Sequence, residues 1–331
     1  MAKVGVIGAG TWAMALARML ANSGHTVEVW SAIPEELEEL ARTRRQKNLP
    51  DMVIPESVRF TAETEQVCRD KDVLLFAVPS VYVRGTARRA APFLAPGQII
   101  ADAAKGIEPD TLLTLTEVIQ EEAGPEARLV ALSGPTHAEE VAKDMPTTIV
   151  SASRDTEAAE RVQDIFMNTC MRVYTNTDIR GVEICGALKN IIALAAGISA
   201  GLGYGDNTKA ALITRGLAEM ERLGEKMGCQ RETFAGLAGM GDLIVTATSR
   251  HSRNNNCGFL IGSGCSVEAA VKKVGMVVEG INAIPAAMEL KARFCVEMPI
   301  VSAVNDVVNH GADPAEAVRM LMCRERKAEL Y

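Results

Sequence analysis

Long uninterrupted apolar runs, the pattern of a leader peptide at Met1, paired cysteines and an excess of positive charge are not seen in this sequence. No uninterrupted apolar stretch reaches the roughly 18–20 residues that a spanning helix needs, so insertion into a membrane is not expected. The first residues, Met1-Ala2-Lys3-Val4-Gly5-Val6-Ile7-Gly8, run from a short strand straight into a glycine turn. A signal peptide would show an apolar stretch and a small-residue cleavage site there instead. The eight cysteines are scattered, with no C-x-x-C pair and no tight Cys/His cluster. They read as small reduced core residues, with no metal implied, and the expected compartment is the cytoplasm. A net charge of −7 argues against a nucleic-acid surface. It leaves room for a local basic pocket that holds a phosphorylated metabolite. Internal repeats and low-complexity segments are lacking as well.

What is present describes an ordinary globular protein, with 331 residues, 48% of them hydrophobic and 23% charged. That length suits two domains, each with its own core. Strands are expected at Lys3–Ile7, Thr26–Trp30, Val73–Val78, Gln98–Ala101, Leu129–Leu132 and Thr147–Ser151, with helical patterns between them. The short apolar strands suit a parallel sheet covered on both faces. Strands alternating with helices predict an α/β, Rossmann-type doubly wound sheet over residues 1–180. From about Gly181 the texture turns to Ala, Leu, Met and Gly with helical periodicity, which predicts an all-α domain over 181–331. The glycine-rich piece Gly201 to Asn207 breaks it between two helices. The charged stretch Glu35 to Lys47 reads as a solvated helix and loop.

Gly8-Ala9-Gly10-Thr11-Trp12-Ala13 follows the first strand and opens a helix. In a dinucleotide site the first glycine makes the tight turn and the second lets backbone approach the pyrophosphate. Ala13 takes the third position, where the helix packs on the sheet. The pyrophosphate would lie on the amides at the start of the helix near Thr11 and Trp12. Two absences mark the next strand. It ends Val29-Trp30-Ser31-Ala32, with no carboxylate for an NAD ribose and no arginine directly after it. Glu28 lies inside the strand and should point elsewhere. Ser31 is a candidate partner for a 2′-phosphate, with Arg42, Arg44 and Arg45 near enough in sequence to supply charge, so NADP is preferred over NAD.

In the second half, Lys189-Asn190 interrupts the apolar run Gly186 to Gly197. A lysine in such surroundings either finds a carboxylate or has its proton affinity lowered by desolvation, and is a candidate acid or base. The bland alternative is a lysine snorkelling to solvent. On a helix, Gly186, Ala193, Ala196 and Gly197 share its face, so a substrate or another backbone could approach closely. Ala104-Lys105-Gly106 and Ser133-Gly134-Pro135-Thr136-His137-Ala138 each follow a strand at its carboxyl end, where open α/β sheets bind ligands. An alternative reading of Thr136 is a helix cap with Glu139 three residues on. His137 reads as a surface or packing residue. Gly239-Met240-Gly241-Asp242 sets one acid among glycines, with Thr246 shortly after. Ser252-Arg253-Asn254 opens a dense run of hydrogen-bond donors that suits a phosphate.

In this order the segments resemble the bacterial form of the glycerol-3-phosphate dehydrogenases that use NAD or NADP. The resemblance also takes in Val78-Pro79-Ser80, Thr214-Arg215-Gly216-Leu217 and Val278-Glu279-Gly280, and so covers nearly the whole chain. It implies a 6-phosphogluconate dehydrogenase-like second domain and reduction of dihydroxyacetone phosphate to sn-glycerol 3-phosphate for glycerophospholipid synthesis. It places the catalytic acid/base on Lys189, a second lysine touching substrate and cofactor on Lys105, and Asp242 as the acid that orients Lys189. Substrate contacts fall on Gly134, Thr136, Asn190, Asp242, Ser252, Arg253 and Asn254. Cofactor contacts fall on Gly8, Gly10, Thr11, Trp12, Ser31, Lys105, Ala138, Arg253, Val278 and Glu279. A homodimer is implied. Two departures stand out: Ala13-Met14 in place of smaller residues, which should slightly crowd the helix–sheet contact, and Ser31-Ala32 in place of a basic residue. The competing readings are a β-hydroxyacid or 6-phosphogluconate-type dehydrogenase and a non-catalytic NADP-binding sensor.

Overall fold

The computed structural model describes residues 1–326, 328 and 329, so Lys327, Leu330 and Tyr331, at the end of the expected second domain, lie outside the described residues. Two compact units emerge: Met1–Gly186 with Cys229–Asp242, and Ala187–Gly228 with the chain from Leu243 onward.

The first unit is built on an eight-stranded sheet in the order β3-β2-β1-β4-β5-β6-β7-β8. Its strands are β1 (Lys3–Ile7), β2 (Thr26–Trp30), β3 (Arg59–Thr61), β4 (Val73–Phe76), β5 (Ile99–Asp102), β6 (Arg128–Ser133), β7 (Thr147–Ala152) and β8 (Met171–Asn176). All pairs are parallel except β6 with β7. The doubly wound sheet expected from the alternating pattern is therefore present. The expectation did not include β3 or β8. Strand β3 has only three residues, too few for a pattern, and β8 lies at the sheet edge with only Met171 and Val173 buried.

Alternation within the apolar strands divides the core between the two faces of the sheet. Val4, Val6, Val73 and Leu75 join one cluster with the Thr11–Asn22 helix. Leu74, Phe76 and Ile100 turn to the other, with Leu115 and Ile119. Strands β1 and β4 are neighbours, while β2 and β3 lie on the other side of β1. That reversal creates the crevice at the carboxyl ends of the strands where such sheets take ligands. Ala13 and Met14 are fully buried in the first cluster, so larger side chains than usual sit in the helix–sheet contact. The Pro34–Thr43 helix is half core: Leu37 and Leu40 are buried and only the opposite face is solvated.

Segment Cys229–Asp242 is tied into this unit by Asp178, whose Oδ2 accepts from the Gln230 amide and the Thr233 hydroxyl at 2.8 Å each. A π-helical turn, Leu237–Gly241, then delivers Asp242 to the start of the Asp242–Thr248 helix.

In the second unit the described elements are all helical, as the sequence predicts. The Ile179–Gly201 helix, which runs through the boundary between the units, is long and apolar enough to cross a membrane, and 89% of its most apolar window is buried inside the protein. Counting uninterrupted apolar residues missed it because Lys189-Asn190 divides the run. A helix apolar on all sides belongs in a core. Its glycines serve backbone packing. A Cβ on Gly197 would overlap the Asn255 carbonyl of the Arg253–Gly262 helix, and one on Gly258 would overlap the Leu194 carbonyl in return. Gly201 and Gly262 repeat that interlock one turn on.

Elsewhere in this unit Glu219 is buried, and its two oxygens accept from the amides of Ile300 and Val301 at 2.7 and 3.2 Å. It thereby caps the Pro299–His310 helix from outside.

Candidate active site

The glycine turn has the geometry a dinucleotide needs. Gly8 sits at φ +116°, and a Cβ there would stand 2.7 Å from the Ala77 carbonyl oxygen. Only glycine makes this turn without strain. Gly10 is the N-cap of the Thr11–Asn22 helix, offers no side chain to its amides, and has no atom within 4 Å of where a Cβ would stand. The unpartnered first-turn amides around Thr11 and Trp12 thus face open space at the positive end of the helix dipole. The residues present fit a pyrophosphate. Asn48 joins them without any signal in the sequence motif, donating to the Thr11 hydroxyl at 3.0 Å.

The end of β2 differs from the expected 2′-phosphate pocket. The Ser31 hydroxyl is already engaged, donating to Glu36 Oε2 at 2.9 Å and accepting from the Ile33 amide at 3.2 Å. Two of the three nearby arginines are turned to other work. Arg44 donates to the Val58 carbonyl at 2.8 Å, pairs with Glu56 at 3.2 Å and lies over the Phe60 ring. Arg45 donates to the Pro50 carbonyl. Glu28 is buried inside the strand against Lys71, 3.0 Å away, and Gln66, so it points elsewhere as expected.

Behind β5 the chain turns on Asp102, whose Oδ1 accepts from the Ala104 amide at 3.1 Å. The turn presents Lys105, whose ammonium donates to Asp242 Oδ2 at 2.6 Å and to the Gly134 carbonyl at 3.1 Å. Thr136 donates to that same carbonyl at 3.1 Å. Thr136 does not form the alternative capping box: the short Ala138–Val141 helix takes His137 as its N-cap, with no side-chain cap. Four of the expected residues, Lys105, Gly134, Thr136 and Asp242, therefore converge, and Asp242 is 1% exposed. Within the first unit Asp242 holds Lys105. Gly186, one turn before Lys189 on the same helix, faces this cluster. A Cβ there would stand 3.1 Å from Ser133 Oγ and 3.4 Å from Lys105 Cγ.

Two buried carboxyls that no motif marks, Asp102 and Glu183, interact in this unit. Burial, with the charge of Glu183 adding to it, raises Asp102 well above the usual carboxylate range. Burial likewise pushes Glu183 up to about 7, although Thr116 donates to it through its amide at 2.8 Å and its hydroxyl at 2.6 Å. Burial can raise a carboxyl this far when no cation compensates.

Within the second unit, Lys189 does not snorkel. It is 5% exposed, and its ammonium donates to Thr246 Oγ1 at 2.7 Å. The motif reading noted Thr246 shortly after Asp242 without giving it a role; it follows Asp242 by four residues on one helix. Asn190 Oδ1 accepts from Asn254 Nδ2 at 2.8 Å, and Asn254 Oδ1 accepts from the Gly280 amide at 2.8 Å. One buried amide thus joins the Leu188–Asn190, Ser252–Asn254 and Val278–Gly280 segments. Ser252 is the N-cap of the next helix, accepting from the Asn255 amide. Arg253 is the exposed cation of the cluster, donating to the Val277 carbonyl at 3.0 Å. Glu279 starts its helix next to the N-cap Val278. On the small-residue face, where a substrate or another backbone was expected to approach, the Asn255 backbone lies against Gly197.

The family model for the N-terminus of NAD-dependent glycerol-3-phosphate dehydrogenase matches residues 3–159, and the model for its C-terminus matches 178–319. The chain is 67% identical to glycerol-3-phosphate dehydrogenase (NAD(P)+) 2 of Lactobacillus delbrueckii subsp. bulgaricus, over 100% of this chain and 99% of that one. It is 50% identical to glycerol-3-phosphate dehydrogenase (NAD(P)+) of Agathobacter rectalis, covering 99% and 98%. The crystal structure of glycerol-3-phosphate dehydrogenase from Coxiella burnetii matches with a TM-score of 0.94 at 34% identity, covering 98% and 99%. With both halves matched and two positions in three identical to a full-length relative, this chain belongs to the NAD-dependent glycerol-3-phosphate dehydrogenase family.

Proposed function

We propose that the protein reduces dihydroxyacetone phosphate to sn-glycerol 3-phosphate with NADH or NADPH. The observation that carries this reading is family membership over the whole chain, together with two lysines held by buried polar partners. The competing hydroxyacid and 6-phosphogluconate-type readings are not favoured, since the relatives at 67% and 50% identity are both named for glycerol 3-phosphate.

When bound, the reduced nicotinamide supplies the hydride that reaches the substrate's carbonyl carbon. As that carbon is reduced, its oxygen gains negative charge and must receive one proton. Lys189 gives that proton from Nζ in the reduction and takes it back in the reverse reaction. Thr246 fixes the Lys189 ammonium in direction. Lys105 stabilises the developing oxyanion, and Asp242 aims its ammonium. Arg253 binds the substrate phosphate, so a non-reacting group helps to orient the reacting one. Asn254 contributes by ordering Asn190 and the Gly280 turn rather than by gripping the phosphate directly. Gly134 and Thr136 shape the wall beside Lys105. Gly8, Gly10, Thr11, Trp12, Ala138, Val278 and Glu279 serve the cofactor. A homodimer in the cytoplasm completes the reading.

Initial rates with dihydroxyacetone phosphate and each reduced nicotinamide test it. Consumption of the reduced cofactor with stoichiometric glycerol 3-phosphate is expected. Faster turnover of a β-hydroxyacid, or cofactor binding without turnover, would overturn it.

A further inference from the structure

The sequence reading favours NADP because β2 ends in Ser31 rather than an acid. The folded chain supplies the acid from elsewhere. Glu36, in the first turn of the Pro34–Thr43 helix, places Oε2 2.9 Å from the Ser31 hydroxyl, at the very end of β2. We infer that Glu36 is the cofactor-selecting residue of this chain, and that it selects NAD(H) over NADP(H). The inference rests on the proposed function and narrows its cofactor.

Three observations support it. The position is right, because in a doubly wound sheet the adenosine ribose is read at the tip of the second strand. The chemistry is right as well. A carboxylate accepts hydrogen bonds from vicinal ribose hydroxyls, whereas a 2′-phosphate next to it meets like charge with no donor to offset the repulsion. Two of the surrounding cations are withheld: Arg44 is committed to Val58, Glu56 and the Phe60 ring, and Arg45 to Pro50. Glu35, on the same turn, adds a second carboxylate. Arg42 lies in the last turn of that helix, six residues beyond Glu36, and Lys47 is exposed in the loop after it. Ser31 does not have a free hydroxyl proton for a phosphate, since that proton goes to Glu36 and its oxygen accepts from Ile33.

The test is direct titration of the substrate-free protein with NADH and with NADPH, read by nicotinamide fluorescence, alongside kcat/KM with each. NADH is expected to bind at least about 10-fold more tightly. Glu36→Gln keeps a hydrogen-bonding partner for Ser31 while removing the charge. It is expected to shift the NADH/NADPH affinity ratio about 10-fold or more toward NADPH. Tighter binding of NADPH by the native chain, or a ratio unmoved in Glu36→Gln, would overturn the assignment. Because binding is read without substrate, inactivity toward the triose phosphate would count against the proposed reaction and leave this result standing.

Discussion

Lys105 and Asp242, 137 positions apart in the chain, meet at 2.6 Å, with Asp242 almost wholly removed from water. A short charge-assisted hydrogen bond of this kind is strong.

Asp242→Asn keeps the size and one acceptor of the side chain while removing the charge that holds Lys105. We expect kcat to fall about 100-fold, the scale for losing one electrostatic contribution to the transition state, with a smaller change in the KM for cofactor. Steady-state kinetics check this. A variant with native kcat would remove the pair from the chemistry.

For Lys189, the partner to test is Thr246. Thr246→Val replaces the hydroxyl by a methyl of similar shape, so the ammonium loses its 2.7 Å acceptor. A fall in kcat of about 10-fold is expected, with Thr246→Ser restoring most of it. If serine failed to restore activity although both variants folded equally well, the effect would belong to packing and not to the hydroxyl.

Gly258→Ala addresses the helix interlock. Its new Cβ has no space beside the Leu194 carbonyl, so the Ile179–Gly201 and Arg253–Gly262 helices would have to separate. Overpacking at a backbone contact should cost ~3 kcal/mol or more, at the upper end for such changes. Calorimetry would show this as a lower unfolding temperature. A native value would mean that the interlock yields easily.

Glu183 makes stability depend on pH with a definite sign. Its folded value is pushed up to about 7 from an ordinary 4.5. Between those values the unfolded chain has released the proton that the folded chain still holds. Stability therefore falls as pH rises from about 4.5 to 7 and levels off above. In Glu183→Gln the amide oxygen can still accept from the Thr116 amide, and the Thr116 hydroxyl can turn to accept from Nε2. That variant should show a shallower decline over the same window in denaturant titrations. An unchanged slope would assign the pH dependence to other groups.

Much of the fold was legible because its signals are local. The strand β1, the turn at Gly8 and Gly10 and the helix from Thr11 occupy adjacent residues, and each takes its form from its neighbours. The edge strands β3 and β8 escaped notice because half-exposed edges carry little apolar pattern. Among candidate site residues, Lys105, Gly134, Thr136 and Asp242 were named from the sequence and converge in the fold. Asp102 and Glu36 were not, and Thr246 was noted without a role, because threonines and acids on helices and strand ends are common and nothing local distinguishes them.

Taken alone, the sequence determined the doubly wound sheet, the helical second half, the dinucleotide turn and the two lysines. Periodicity and glycine placement act over a few residues and leave a readable trace. Tertiary structure alone decided the pairings: Asp242 with Lys105, Thr246 with Lys189, Glu36 with Ser31, and the Asn255 backbone against Gly197. Such contacts depend on where distant segments, or a helix turn and a strand end, come to rest against each other. A hydrogen bond lasts only within a few tenths of an ångström of its ideal length, a precision that packing sets and residue order does not encode locally.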